Sequence, residues 1–243
     1  MTTSPLLPLT AADLPPLAPE LVLVGSAFAL LMLDLFISEK NKIWTHLFSI
    51  AALAVVFFML ATGVGGQGEV FHGMFVRDTA ADVMKTVIVL CSGLTLIYGW
   101  SYLRERKLYQ GEIPVLILFA TAGMTILVSA GSLLMVYLGL ELLALCSYAL
   151  VASNRENGLA SEAAMKYIVL GSLASGLLLY GMSLIYGATG SLHLDAINAA
   201  IPHTEEKMLL LTGAVFMIAG VAFKLGAAPF HMWLPDVYQG APA

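Results

Sequence analysis

Five ionisable residues stand where ionisable residues are expensive. Asp34, Lys85, Glu141, Lys166 and Lys224 each lie inside an apolar run of the 243-residue chain. At the centre of a bilayer a charge costs at least ~2.5–3.5 kcal/mol on insertion scales, so each needs a partner, water or a function. The chemistry open to carboxylates and amines in such a place is proton exchange. Each gains or loses one charge with its proton, and each influences whether a close neighbour keeps its own.

The five are not equivalent. Asp34 and Lys85 fall near the ends of their runs and read as boundary charges that reach the headgroups. Glu141 sits in SLLMVYLGLELLALCSYAL, about eight residues into its run. At 1.5 Å per residue that is roughly 12 Å deep in a hydrocarbon core of ~30 Å. A carboxylate there must be paired, hydrated or protonated, so Glu141 is either a proton-carrying site or a neutral acid that links two helices. Lys166, in GLASEAAMKYIVLGSLASG, follows Glu162 by four residues, the favourable order for a surface ion pair. It is a second protonatable site only if it faces the bundle.

Lys224 lies in MLLLTGAVFMIAGVAFKLGAAPF. Pro229 five residues on removes a backbone donor and clashes with the carbonyl of Leu225, and Gly226 weakens the same turn. The spacing predicts a helix broken near Pro229, its negative dipole end beside a cation. The other reading ends the helix at the membrane surface, with Lys224 snorkelling. His231, two residues past Pro229, is either a hydrogen-bonded structural residue or a proton shuttle, since its unperturbed pKa is ~6.5. Asp236 reads as a cap for the short segment after Pro235.

The elements that carry these residues follow from composition. The chain is 59% hydrophobic and 11% charged, against about 25% charged in a soluble domain. It reads as an all-α polytopic transmembrane bundle of about seven helices: Glu20–Ser38, Ile43–Thr62, Ala80–Trp100, Ile113–Ser129, Leu133–Val151, Ala163–Ala188 and Met208–Ala228. On the sixth, Gly171 and Ser175, like Ser172 and Gly176, are four apart and form small faces for close packing. The net charge of −5 without a basic patch argues against nucleic acid as a partner. Cys91 and Cys146 stand alone in apolar runs and read as inert packing residues; no Cys/His spacing suggests a metal or an iron–sulfur cluster.

Lys40, Lys42, Arg104, Arg106, Lys107 and Arg155 fall in alternate loops, against Arg77 and Lys207 in the others. The positive-inside rule then places the basic loops in the cytoplasm and the N-terminus in the periplasm. The leading MTTSPLLPLTAADLPPLAPE has no basic stretch ahead of an apolar one and does not read as a cleaved signal.

Three stretches carry a resemblance: LGLELLALCSYAL, ASEAAMKYIVLGSLASGLLLYGMSLIYGATGSL and GVAFKLGAAPFHMWLPDVYQGAPA. Together they resemble the antiporter-like membrane subunits of respiratory complex I. The resemblance spans the whole chain and is strongest from about residue 113 onward. It implies a bundle with two inverted five-helix repeats, each with a broken helix bearing a lysine. It implies that Glu141 and Lys224 form a charge pair in a membrane-midplane axis, with Lys166 and His231 at further polar positions. The implied function is proton translocation driven by electron transfer. NADH, FMN, iron–sulfur clusters and quinone would be bound by other subunits, and the implied partners are the other membrane subunits of the complex, the lipid bilayer and protons.

On this pattern residues 1–112 hold the first three helices and 113–243 most of one repeat. The family continues past the GAP motif, so the chain is expected to be the N-terminal half of a longer protein. Two other functions are compatible with the sequence: a subunit of a multisubunit sodium/proton antiporter, which shares the Glu/Lys logic, and a structural membrane subunit. The implied localisation is the bacterial inner membrane. The expected mechanism is electrostatic: an ionised Glu141 close to Lys224 holds the lysine protonated, and separation or neutralisation lets that proton leave.

Overall fold

A helix that runs through apolar residues satisfies its own backbone, and the chain repeats that solution along its length. The computed structural model describes residues 14–38, 41–106, 108–154 and 156–242. A 3₁₀ turn, Pro15–Leu17, leads into α1 (Ala18–Asp34), followed by α2 (Ile43–Ala61) and a hairpin of β1 (Gly68–Val70) and β2 (Phe75–Arg77). Then come α3 (Thr79–Glu105), α4 (Glu112–Val128), α5 (Leu133–Val151), α6 (Gly158–Thr189), the short α7 (Leu194–Ala200), α8 (Lys207–Lys224) and α9 (Leu234–Gly240). Asp78, Ser132 and Asn157 cap α3, α5 and α6 by accepting from Ala81, Met135 and Leu159 backbone N–H groups.

All seven predicted apolar segments are helices. Six are long and apolar enough to cross a membrane, and the 17-residue α4 is the shorter seventh. Two elements inside the predicted loops were not foreseen, the hairpin and α7, while α9 forms the short segment expected around Pro235. The two strands pair antiparallel over three residues each, Gly68 opposite Arg77 and Val70 opposite Phe75. Runs that short leave no period to read.

The bundle has two distinct ends. At one, the Val76 N–H donates to Ser129, Gly131 to Met74, Leu133 to Leu192 and Leu194 to Gly131. These bonds tie together the hairpin, the α4–α5 turn and the segment after α6. At the other end, Tyr109 donates to the Lys42 carbonyl (3.2 Å) and Gln110 to that of Ser153 (3.3 Å), joining the loops after α1, α3 and α5. Burial, then the Asp34 carboxylate, pushes the Tyr109 phenol above its ordinary range, so it stays a neutral donor. The basic residues used to orient the chain therefore do segregate: Lys42, Arg104 and Arg106 belong to the second end, Arg77 and Lys207 to the first. Lys40, Lys107 and Arg155, and the leading residues 1–13, lie outside the described residues.

One core joins α1 to α4 through Leu23, Leu30, Leu53, Val56, Val89 and Leu118. Others join α5 and α6 through Leu133, Leu178 and Met182, and α6 to α9 through Ala163, Trp233 and Val237. Many large side chains on the outer faces stay exposed, among them Phe58, Tyr98, Leu173 and Ile218. Apolar residues outward is what lipid requires. Cys146 is buried, but Cys91 is exposed on α3, contrary to its expected place in the packing.

Candidate functional site

Glu141 is the ninth residue of α5. That helix is pressed onto α4: a Cβ on Gly123 would lie 2.8 Å from the Leu143 backbone nitrogen, and one on Gly139 would lie 2.9 Å from the Gly123 carbonyl oxygen. Only glycine permits backbones this close. The same device joins α6 to α8, where Gly181 faces Gly213 and a Cβ on Gly220 would meet Leu178 Cβ at 2.8 Å and the Ala174 carbonyl oxygen at 3.0 Å. Lys224 is one turn beyond Gly220 and shares its face.

The result is a three-residue cluster. Lys224 Nζ is 3.1 Å from Glu141 Oε1 and 3.0 Å from Ser175 Oγ. The Ser175 hydroxyl in turn donates to Glu141 Oε1. The side chains of Lys224 and Glu141 are 13% and 22% exposed, so the pair is enclosed but not sealed. Glu141 and Lys224, expected from the sequence, are brought together. Ser175 was visible only as part of a small packing face.

Helix α8 ends at Lys224, with Leu225 as its cap and Gly226 in the left-handed region at φ +64°. The break thus falls at Leu225–Gly226, a few residues before Pro229. Glycine ends the helix because it alone adopts that backbone without strain. Lys224 therefore stands at the negative end of the α8 dipole, a favourable place for a cation. Beyond the break, Trp233 folds back. Its Nε1 donates to the Phe223 carbonyl (3.2 Å), and its ring stacks on Tyr167 (4.7 Å, 7°) and Phe223 (5.5 Å, 26°). Tyr148 meets Tyr167 edge to face at 4.6 Å. This aromatic stack fixes the residue next to Lys224.

The remaining candidates lie apart from that cluster. Lys166 is exposed and sits 2.8 Å from both Glu162 Oε1 and Asp236 Oδ2. It does not face the bundle; it ties α9 to α6. Asp236 is accordingly not a cap for α9, whose N-terminus has no side-chain cap. His231 is exposed in the turn between α8 and α9, its carbonyl accepting from the Leu234 N–H. Asp34 keeps its boundary position but is engaged, accepting from Thr45 Oγ1 (2.7 Å) with Lys42 Nζ at 3.7 Å.

Lys85 corrects the expectation most. It is fully buried, 2.6 Å from Glu20 Oε1, under the Phe75 ring at 4.7 Å. Beside it, the buried Arg77 holds Asp82 (Nε to Oδ1, 2.7 Å) and the Val64 carbonyl (2.9 Å). Lys85 turns inward to a partner 65 residues away in sequence, on α1. Nothing local to Lys85 announces that pairing.

Residues 130–243 match the family model described as NADH:quinone oxidoreductase/Mrp antiporter, TM. A relative from Xanthomonas euvesicatoria pv. vesicatoria, named NADH-quinone oxidoreductase subunit N, is 80% identical over all 243 residues, which make up 50% of its length. One of the same name from Halorhodospira halophila is 50% identical over 225 residues, 92% of this chain and 46% of the relative. Through residues 130–243 the chain is similar to the NADH:quinone oxidoreductase/Mrp antiporter family. It spans about half the length of the curated relatives it matches.

Solved structures agree. Respiratory complex I from Thermus thermophilus with bound aureothin contains a chain 31% identical at a TM-score of 0.74, matching 92% of this chain and 47% of that one. The membrane-bound sulfane sulfur reductase, an archaeal respiratory membrane complex, contains one 25% identical at 0.77, matching 95% and 48%. The matched antiporter-family segment includes Glu141, Lys166, Ser175, Lys224 and His231. The Glu20–Lys85 pair and Asp34 precede it.

Proposed function

We propose that this chain acts as part of a proton-translocating membrane subunit of an NADH:quinone oxidoreductase, with Glu141 and Lys224 as the charge pair that holds and releases the proton. The observation that carries the proposal is the contact of Lys224 Nζ with Glu141 Oε1 at 3.1 Å, beside a helix break and within an apolar bundle. A doubled separation halves the Coulomb attraction whatever the dielectric, so a small movement of α8 changes how firmly the lysine keeps its proton. The partial exposure of both side chains gives protons a way in. Lys166, at the α6–α9 surface, serves this pair by holding the segment beyond the break, and His231 is a further protonatable group in the α8–α9 turn.

On this reading the chain lies in a bacterial inner membrane with its N-terminus periplasmic. NADH, FMN, iron–sulfur clusters and quinone are held by other subunits, with which it assembles. The test is NADH-driven proton pumping by assembled complex bearing the full-length protein with Glu141→Gln or Lys224→Ala. Both variants are expected to lose pumping at normal assembly; normal pumping in both sinks the proposal. A second reading, a subunit of a sodium/proton antiporter, is favoured by the family description, which names Mrp antiporters beside the oxidoreductase. Sodium-dependent exchange without NADH would select it.

A further inference from the structure

Many serine and threonine hydroxyls on the helices bond within their own helix, whereas Ser175, like Thr45 with Asp34, donates to a carboxylate on another helix. Ser49 donates to the Thr45 carbonyl, Ser147 to that of Leu143, Thr189 to Ile185 and Thr212 to Met208, each four residues back on its own helix. That is the ordinary way a helical hydroxyl is satisfied. Ser175, only 4% exposed, turns away from its helix and donates to Glu141 on α5, while its oxygen accepts from Lys224 on α8 at 3.0 Å. A hydroxyl has one proton to give and two lone pairs to accept with, so this arrangement uses it in both senses.

We propose that Ser175 relays the proton between Lys224 and Glu141. This rests on the Glu141–Lys224 reading above and assigns the path by which that pair exchanges its proton. In one step the Lys224 N–H bond breaks and a new O–H bond forms on Ser175. As it does so, the original Ser175 O–H breaks and its proton bonds to Glu141. Serine is regenerated, lysine becomes neutral and glutamate protonated, with no electron transferred. The hydroxyl then faces the other way, donating to the neutral amine and accepting from the carboxylic acid. It remains hydrogen-bonded to both partners in both states. The close packing of α6 on α8 through Gly220 and Gly181 holds the hydroxyl at the distance this needs.

The test uses assembled complex carrying the full-length protein with Ser175→Ala, Ser175→Thr or Ser175→Cys, beside Glu141→Gln and Lys224→Ala. NADH-driven proton uptake is measured across mixtures of H₂O and D₂O. Ser175→Ala is expected to slow proton uptake about tenfold or more, as loss of a hydrogen bond to a charged group implies. Ser175→Thr, which keeps the hydroxyl, recovers most of the rate. The isotope dependence is bowed in the unaltered protein, where two protons move together, and linear in Ser175→Ala. Should Ser175→Ala fail to assemble, Ser175→Cys, a near-isostere with a weak donor, carries the same expectation.

Wild-type rate and isotope dependence in Ser175→Ala overturn the relay. So does a slow Ser175→Ala with unchanged isotope dependence and no recovery in Ser175→Thr, which marks a packing role. If those results accompany dead Glu141→Gln and Lys224→Ala, only the relay falls. If the two pair variants pump normally, the pair reading falls with it.

Discussion

Gly220→Ala tests whether the charge pair is placed by helix packing. The added Cβ would lie 2.8 Å from Leu178 Cβ, 3.0 Å from the Ala174 carbonyl oxygen and 3.1 Å from Leu178 Cα. Carbon atoms in ordinary contact stand about 3.5–4.0 Å apart, so α8 must retreat by roughly 0.7–1.2 Å. The neighbours are backbone and a β-carbon, which cannot swing aside. Lys224, one turn further along the same face, is carried outward with α8. Its 3.1 Å contact with Glu141 then opens to about 4 Å, beyond hydrogen-bond range. Overpacking of this kind costs about 1–3 kcal/mol, and a misplacement near 1 Å can slow a positioned reaction about 10²-fold. Gly176→Ala is the control. It lies on α6 with nothing within 4 Å of its Cβ, so it adds helix propensity and no contact. The assay is protons pumped per NADH oxidised by assembled complex with the full-length protein, with assembly read on native gels. Gly220→Ala is expected to fall at least tenfold while Gly176→Ala does not change. A fully active Gly220→Ala complex would refute the claim that α6–α8 packing sets the pair.

Two further perturbations separate structure from transport. Lys85→Met strands the buried Glu20 carboxylate and is expected to destabilise by about 3–5 kcal/mol, whereas Glu20→Gln with Lys85→Met recovers most of it; thermal unfolding of purified complex gives both, and a double variant no better than the single one would contradict a paired charge. Trp233→Phe loses the bond to the Phe223 carbonyl for about 1 kcal/mol, and Trp233→Ala loses the stack as well for about 3–5 kcal/mol, with pumping falling in step as Lys224 loosens; equal melting of the two would show that stacking contributes nothing.

The architecture was legible because lipid imposes one rule on every segment: twenty apolar residues, no unsatisfied backbone. Glu141 and Lys224 were legible because a charge in such a run is an anomaly that demands a reason. Ser175 was not, since a serine beside Gly171 reads as a small packing residue, and only the approach of α5 and α8 turns its hydroxyl to another use. Glu20 gave no signal either. It stands at the edge of its apolar run, where a carboxylate looks ordinary, and its partner Lys85 comes from two helices later. The α8 break was expected on account of Pro229, the louder residue. Gly226, at positive φ, stops the helix first. Asp236 looked like a cap by position, yet Lys166 claims it across the α6–α9 contact, a pairing that spacing within one element cannot reveal.

Among the described residues, two glutamate–lysine pairs join different helices with the same chemistry and different surroundings, and the surroundings decide their roles. Glu20 and Lys85 lie within the first turns of α1 and the second turn of α3, with side-chain exposures of 7% and 0% and an aromatic ring laid over the ammonium. That pair is closed off from solvent, and the contact acts as a clamp that joins α1 to α3 beneath the hairpin. Glu141 and Lys224 have the opposite setting. The lysine is the last residue of its helix, the backbone beyond it turns through a glycine, and both side chains keep some exposure. A third group bridges them and fits either charge state. An ion pair meant to hold is enclosed between packed helices; one meant to exchange stands where a helix stops and the backbone turns, with partial exposure and a hydroxyl between its charges.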